Sequence, residues 1–296
     1  MKTSVLVLAV LLLGVSCGKK AEKAESLPPL PPLRHFVGAA LLRQHLERGH
    51  ALLILDIRRE ADYAAGHLPG AVNLPLAEVR PDPTGRLPAA RRRKIGEALR
   101  RAGVRPGLPV VITGGAGRGG FLDAALACWV MALGGVSDCH VLEGGTSAWA
   151  VLGGSLVTDR FAPLRVEGAT AEIPIDPPAL ADIDGIREAT ASPDTALVDV
   201  REQASERIPG AYVLPLLRAI DSRGRVDRKM LDDLLAGSGV LAEAAAIVMG
   251  EGMEDGAAGW LLLSRGGGLA GAKLFPGGVR RYRTFPGLPL APAGAE

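Results

Sequence analysis

The sequence predicts an α/β protein made of two similar units in tandem, each a central parallel sheet flanked by helices. Three observations predict it. Short continuous apolar runs such as Ala51–Ile57 have the length and composition of strands buried on both faces. Strand and helix signals alternate along the chain, as they do where helices cover a parallel sheet. A set of short motifs from the first half returns in the second in the same order.

The N-terminus precedes this pattern. Met1-Lys2-Thr3 is a short basic head, Val5–Val15 is apolar, and the small Ser16 stands before Cys17. The apolar stretch is far shorter than the about 20 residues a helix needs to cross a bilayer. The arrangement resembles a bacterial lipoprotein signal, although Gly14 stands where such signals usually carry Leu. The resemblance implies a signal over 1–17, lipid on Cys17, and a protein facing the periplasm; simple secretion is the alternative. Gly18 after the cysteine, where no Asp stands, points by the same resemblance to the outer membrane. Residues 18–33 pass from Lys, Glu and Ala into Leu27-Pro-Pro-Leu-Pro-Pro32, a semi-rigid tether of about 3.1 Å per residue where extended.

The first unit is expected over 34–158. Val37–Arg48 has apolar residues at helical spacing, and Ala51–Ile57 reads as a strand. Ala89–Ala102 reads as a helix stopped by Gly103, Pro109–Ile112 as a strand, Phe121–Leu133 as a helix, and Cys139–Leu142 as a strand. Between the second strand and its helix lies Thr113–Gly120, a glycine-rich loop. Glycines let successive N–H groups curl toward one point beside the positive end of a helix, which suits an anion. The candidate anion site is Gly114, Gly115, Ala116, Gly117 and Arg118.

The repeat is specific. Asp56-Ile-Arg58, Leu68-Pro-Gly-Ala71 and Leu74-Pro75 return as Asp199-Val-Arg201, Ile208-Pro-Gly-Ala211 and Leu214-Pro215. Leu142-Glu-Gly-Gly145 with Trp149 is matched by Leu274-Phe-Pro-Gly-Gly278 with Tyr282. A second unit is therefore expected over 175–291, after a linker at 159–174 with scattered prolines. The 296 residues suffice for two ordinary domains, each with its own core. A net charge of +2 gives no sign of a nucleic-acid binder, and an apolar content of 48% excludes disorder.

Asp56-x-Arg58-x-Glu60, Gly66-His-Leu-Pro-Gly-Ala71-x-Asn73 and Leu142-Glu-Gly-Gly145 with Trp149 resemble the framework of a rhodanese domain. The tandem resembles thiosulfate and 3-mercaptopyruvate sulfurtransferases, with motifs eroded in the second unit, where Glu206-Arg207 replaces Gly66-His67. The resemblance implies a loop opening with a cysteine that carries sulfur as a persulfide. A thiolate at a helix N-terminus is strongly nucleophilic, whereas a hydroxyl stays protonated. Aligning the strands puts Thr113 and Gly250 at the cysteine positions, so neither loop has the nucleophile. The resemblance also gives Arg118 an anion-binding role. Glu251, Glu254 and Asp255 in the second loop would repel anionic donors, or are merely solvated.

The other chemistry-bearing residues read blandly. Cys128 and Cys139 are expected to pack as small apolar side chains; a disulfide between them is the alternative in an exported protein. Gly115-x-Gly117-x-x-Gly120 with Glu143 formally fits a dinucleotide fingerprint, but the rhodanese-like flanks already account for the glycines. No cofactor is expected. Arg91–Lys94 with Arg100 and Arg101 reads as the wet face of a helix. His67 and His140 have no partners at metal-ligand spacing, so no metal site is expected. The functional expectation is a membrane-tethered, non-catalytic binding or scaffold protein that takes a small anion or a protein partner. The alternative is a sulfurtransferase that uses a cysteine outside the usual position.

Overall fold

A computed structural model describes residues 29–82, 84–159, 177–191, 194–240 and 245–292. The signal at 1–17, most of the tether and most of the linker lie outside the described residues. The first half runs β1 Phe36–Val37, α1 Ala39–Glu47, β2 Leu53–Asp56, α2 Glu60–Ala64, β3 Val72–Asn73, α3 Leu76–Val79, α4 Ala89–Arg101, β4 Val110–Thr113, α5 Gly117–Leu133, β5 Cys139–Leu142 and α6 Gly145–Val151. Its strands form one sheet in the order β1-β5-β4-β2-β3, and every pairing is parallel.

The second half runs α7 Ile183–Ala191, β6 Thr195–Asp199, β7 Glu206–Arg207, β8 Tyr212–Val213, a 3₁₀ turn Leu216–Ala219, α8 Arg228–Ala236, β9 Ala245–Met249, α9 Met253–Leu261, β10 Lys273–Leu274, α10 Gly278–Tyr282 and β11 Ala291–Pro292. A π-helical turn, Leu262–Gly266, prolongs α9. Its main sheet has the parallel order β10-β9-β6-β8, and β11 pairs antiparallel with β7. The fold is thus the expected one, two parallel sheets flanked by helices. All four residues of β2, β4 and β5 are buried, which is why these strands are continuous apolar runs rather than alternating ones.

Two differences from the sequence expectation position the site. The helical spacing over Val37–Arg48 yields a helix only from Ala39, because Phe36 and Val37 pair with Val141 and Leu142. Local periodicity does not contain that edge pairing. Helix α5 begins at Gly117, four residues before the apolar run, so half of the glycine-rich stretch is helix and the loop proper is Gly114–Ala116.

The two halves do not keep separate inner cores. One apolar cluster runs from Leu55 and Ile112 through Leu126 and Trp129 of α5 and Trp260 of α9 to Val198 and Val248. Helices α5 and α9 pack on each other between the sheets. This explains why α5 is apolar on all sides rather than amphipathic. The Trp129 indole N–H donates to the Ala179 carbonyl of the other half at 2.9 Å. Separate clusters cover the outer faces, around Leu42, Val111 and Trp149 in the first half and around Leu197, Phe275 and Tyr282 in the second. Among the described residues no helix is long and apolar enough to cross a membrane.

Candidate functional site

The loop after β4 sits at the carboxyl ends of the parallel strands, where open α/β sheets present their clefts. Thr113 closes β4 beneath it, fully buried, with its hydroxyl 3.0 Å from that of Thr146. The chain then turns through Gly114, Gly115 and Ala116 into α5, with Gly117 at φ +73°. The first N–H groups of α5 have no acceptor within the helix. The inner side of the loop is packed shut. The Gly115 carbonyl oxygen lies where a Cβ on Gly120 would be, 1.9 Å away, and the carbonyls of Gly114 and Gly115 are each 2.6 Å from a Cβ built on Gly145.

The second half repeats this geometry after β9. Val279 N–H donates to the Gly250 carbonyl as Thr146 N–H does to that of Gly114. The strand registers align the two loops. Thr113 pairs with Asp56, and Met249 pairs with Asp199, the first residues of the two Asp-x-Arg motifs. Thr113 therefore corresponds to Met249, and Gly250 to Gly114. The sequence-based positions Thr113 and Gly250 are one residue out of step, because spacing from an apolar run does not reveal where a strand stops. By register, the first loop residue is glycine in both halves, and neither has room for a side chain. A Cβ on Gly114 would meet the Gly120 carbonyl oxygen at 2.7 Å, and one on Gly250 would meet Asp255 Cβ at 2.5 Å.

The charged groups around the loops are engaged with one another. Gly115, Ala116 and Gly117 form an accessible rim, Gly114 is buried, and the guanidinium of Arg118 is paired with Glu202 of the second half. In the second loop Glu254, at the position matching Arg118, pairs with Arg80 of the first half. Each loop thus carries one ionic group that the opposite half neutralises. Glu251 is held by Arg201 at 3.3 Å and Arg283 at 2.7 Å. Burial pushes its carboxyl upward, but the bonds from Arg283 and Arg201 outweigh that and hold it below the ordinary range. Burial raises the carboxyl of Asp255, and burial together with Glu254 raises that of Asp123 on α5. The second loop is therefore a set of paired or partly buried carboxyls. Glu251 and Glu254 are not the solvated residues of the bland expectation.

The Asp-x-Arg motifs serve the framework. Arg58 holds Asp56 through Nε at 3.0 Å and Nη2 at 2.6 Å, and donates also to the Gly66 carbonyl. Asn73 donates to the carbonyls of Asp56 and Arg58, each at 2.9 Å. Arg201 clamps Asp199 and the Glu206 carbonyl in the same way. Tyr63 stacks on His67 at 3.6 Å and donates to the Ala71 carbonyl, which makes His67 a core residue. Beside the first loop opens a cleft of about 530 Å³, bordered by Arg58, Arg59, Leu76, Gly115 and Asp123.

The two cysteines expected as buried thiols are joined. Cys128 on α5 and Cys139 at the start of β5 form a disulfide with Cα atoms 5.7 Å apart, 2% and 4% exposed. Antiparallel return from α5 into β5 brings them together, a distance the sequence does not encode locally. No free thiol remains among the described residues; Cys17 lies outside them.

The two halves share one further paired feature. Asp82-x-Thr84-Gly85-Arg86 and Asp221-Ser-Arg-Gly224-Arg225 are matching turns, each closed by its aspartate on backbone N–H groups. Each rests on the site of the opposite half. Gly144 N–H donates to the Gly224 carbonyl at 3.1 Å, and a Cβ on Gly224 would meet the Gly117 carbonyl at 2.5 Å. Gly85 is packed as tightly on Pro276. The shared Asp-x-x-Gly-Arg spacing is the signal of this pair in the sequence.

Comparison with known proteins agrees with this architecture. The rhodanese-like domain family matches residues 38–151. The putative thiosulfate sulfurtransferase SseB of Mycobacterium tuberculosis, matched in its CDC 1551 / Oshkosh and H37Rv strains, is 34% identical over 139 residues, 43% of this chain. The chain spans 48% of the length of these relatives. Among solved structures, an EanB variant in complex with ergothioneine superposes with a TM-score of 0.75 and 21% identity, over 90% of this chain and 73% of that one. The anaerobic ergothioneine biosynthesis enzyme from Chlorobium limicola, in complex with trimethyl histidine, gives 0.70 and 21% over 88% and 71%. At this identity the likeness is one of fold.

Proposed function

We propose, from the rhodanese-like domain at residues 38–151, that this protein is a non-catalytic binding module held at a membrane by lipid on Cys17. One observation carries the reading: at the first position of both loops there is neither a thiol nor space for one. Persulfide chemistry needs a thiolate, and loss of a covalent nucleophile costs several orders of magnitude in rate. The sulfurtransferase names of the relatives keep the alternative open, but its remaining thiols are few. Cys128 and Cys139 are bound to each other in the core, which leaves Cys17.

The ligand class this reading supports is a small anion or an acidic group of a protein partner, seated on the accessible rim Gly115–Gly117 where α5 begins. Such a group would compete with Glu202 for Arg118. A buried disulfide suits an oxidising compartment, which supports export to the periplasmic face, with the outer membrane favoured and secretion as the alternative. Purified protein is expected to show no cyanide-dependent turnover of thiosulfate or 3-mercaptopyruvate above a protein-free control. Turnover that disappears in Cys17→Ser, or in the Cys128→Ser and Cys139→Ser pair, would overturn the proposal.

A further inference from the structure

At the far end of α1 the chain builds a feature that the rhodanese-like site does not use. Helix α1 ends in a Schellman turn. The Gly49 N–H donates to the Leu46 carbonyl at 3.0 Å, the His50 N–H donates to the His45 carbonyl at 3.1 Å, and Gly49 takes φ +68°. This motif brings the third residue from the helix end against the third residue beyond it, ordinarily as an apolar contact. Here both positions are histidine. Their Nδ1 atoms stand 2.7 Å apart, with the rings edge to face at 4.8 Å. His45 is 7% exposed and fixed on the helix, while His50 is exposed. The pair borders a cavity of about 290 Å³ that is lined also by Asp138 and His140.

Two imidazole lone pairs cannot face each other at this distance, so one Nδ1 carries the proton of a hydrogen bond to the other. A metal ion can take that place. The proton moves to the far nitrogen of its own ring, which leaves a lone pair on each Nδ1. With metal–nitrogen bonds of about 2.0–2.1 Å, two nitrogens on one ion lie about 3.0–3.4 Å apart, so the nitrogens must part by about half an ångström while the exposed His50 ring swings until both lone pairs converge on the ion. Imidazole donors without thiolate select the borderline divalent ions, copper, nickel and zinc, over magnesium or calcium. Among the described residues no three imidazole, carboxylate or thiolate groups already converge on a single point, so water or another group must complete the coordination.

We infer that His45 and His50 form a bidentate chelate for a divalent transition-metal ion, built by the C-terminal turn of α1. The inference is independent of what the glycine loops bind. Its test is titration of the tag-free full chain, in a Cys17→Ser background that removes the one thiol outside the disulfide, with Zn²⁺ as the probe. One ion per chain is expected to bind, and His50→Gln, an exposed change that leaves the helix intact, is expected to weaken binding at least tenfold. His45→Gln should weaken it equally, whereas His140→Gln should retain at least the two-nitrogen affinity. No uptake of Zn²⁺, or uptake unchanged in both His50→Gln and His45→Gln, would overturn the assignment.

Discussion

Replacing both Cys128 and Cys139 by alanine tests the disulfide that separates this chain from one with buried thiols. The cross-link spans a sequence separation of 11 and pins the distal part of α5, the helix that carries the loop, to the start of β5. Closing a loop of that length in the unfolded chain removes entropy worth about 3 kcal/mol at 25 °C. At about 2–4 °C per kcal/mol for a body of this size, the melting temperature should fall by about 6–12 °C. Removing two sulfurs from sites 2% and 4% exposed adds a packing loss of about 1 kcal/mol. The assay is thermal unfolding of the protein as purified, after full reduction in denaturant and refolding under reductant, and of the double alanine variant with and without reductant. Reduced protein should lose the cross-link contribution alone, and the variant should be insensitive to reductant. Two thiols that react with an alkylating agent in denaturant before any reduction, beyond that of Cys17, would rule out the disulfide. So would a melting temperature unchanged by complete reduction.

Two further predictions concern the loop and its neighbouring turn. Gly120→Ala should destabilise by about 1–3 kcal/mol, because its Cβ would fall 1.9 Å from the Gly115 carbonyl oxygen, whereas Gly119→Ala, with nothing within 4 Å, should stabilise by up to about 1 kcal/mol; urea unfolding of the two variants reads the contrast directly. The carboxyl of Asp221 is held below its ordinary range, first by the Arg225 N–H and then by the Arg225 side chain and the Arg223 N–H. A depressed folded-state value means stability that is fully present above about pH 4 and lost as pH falls through the lower folded value. Asp221→Asn should therefore lower the urea midpoint at pH 7, with the difference from the parent shrinking below about pH 4; a difference that stays constant down to pH 2 would remove the ionic part of this explanation.

The layer architecture is written in the residue pattern. Strands buried on both faces must be continuously apolar, and the helices between them must be long enough to cross back, so the alternation over Ala51–Leu142 is visible without coordinates. The repeated Asp-x-Arg and Pro-Gly-Ala units likewise announced two halves, because the backbone clamp Asp56–Arg58 and its counterpart Asp199–Arg201 need the same residues at the same spacing. The glycine-rich turn into α5 was legible for the same kind of local reason.

Tertiary structure decided what that loop can do. Thr113 and Gly250 looked equivalent by distance from an apolar run, but the ladder pairs Thr113 with Asp56 and Met249 with Asp199, and only the ladder says where each strand ends. Arg118 looked free for an anion because its partner, Glu202, lies 84 residues further along the chain. The lost space at Gly114 comes from the Gly120 carbonyl, which faces it only because α5 starts at Gly117. Composition and periodicity report which side chains seek burial. Register, ion partners across the two halves and the meeting of Cys128 with Cys139 follow from how whole elements pack, and no local pattern records them.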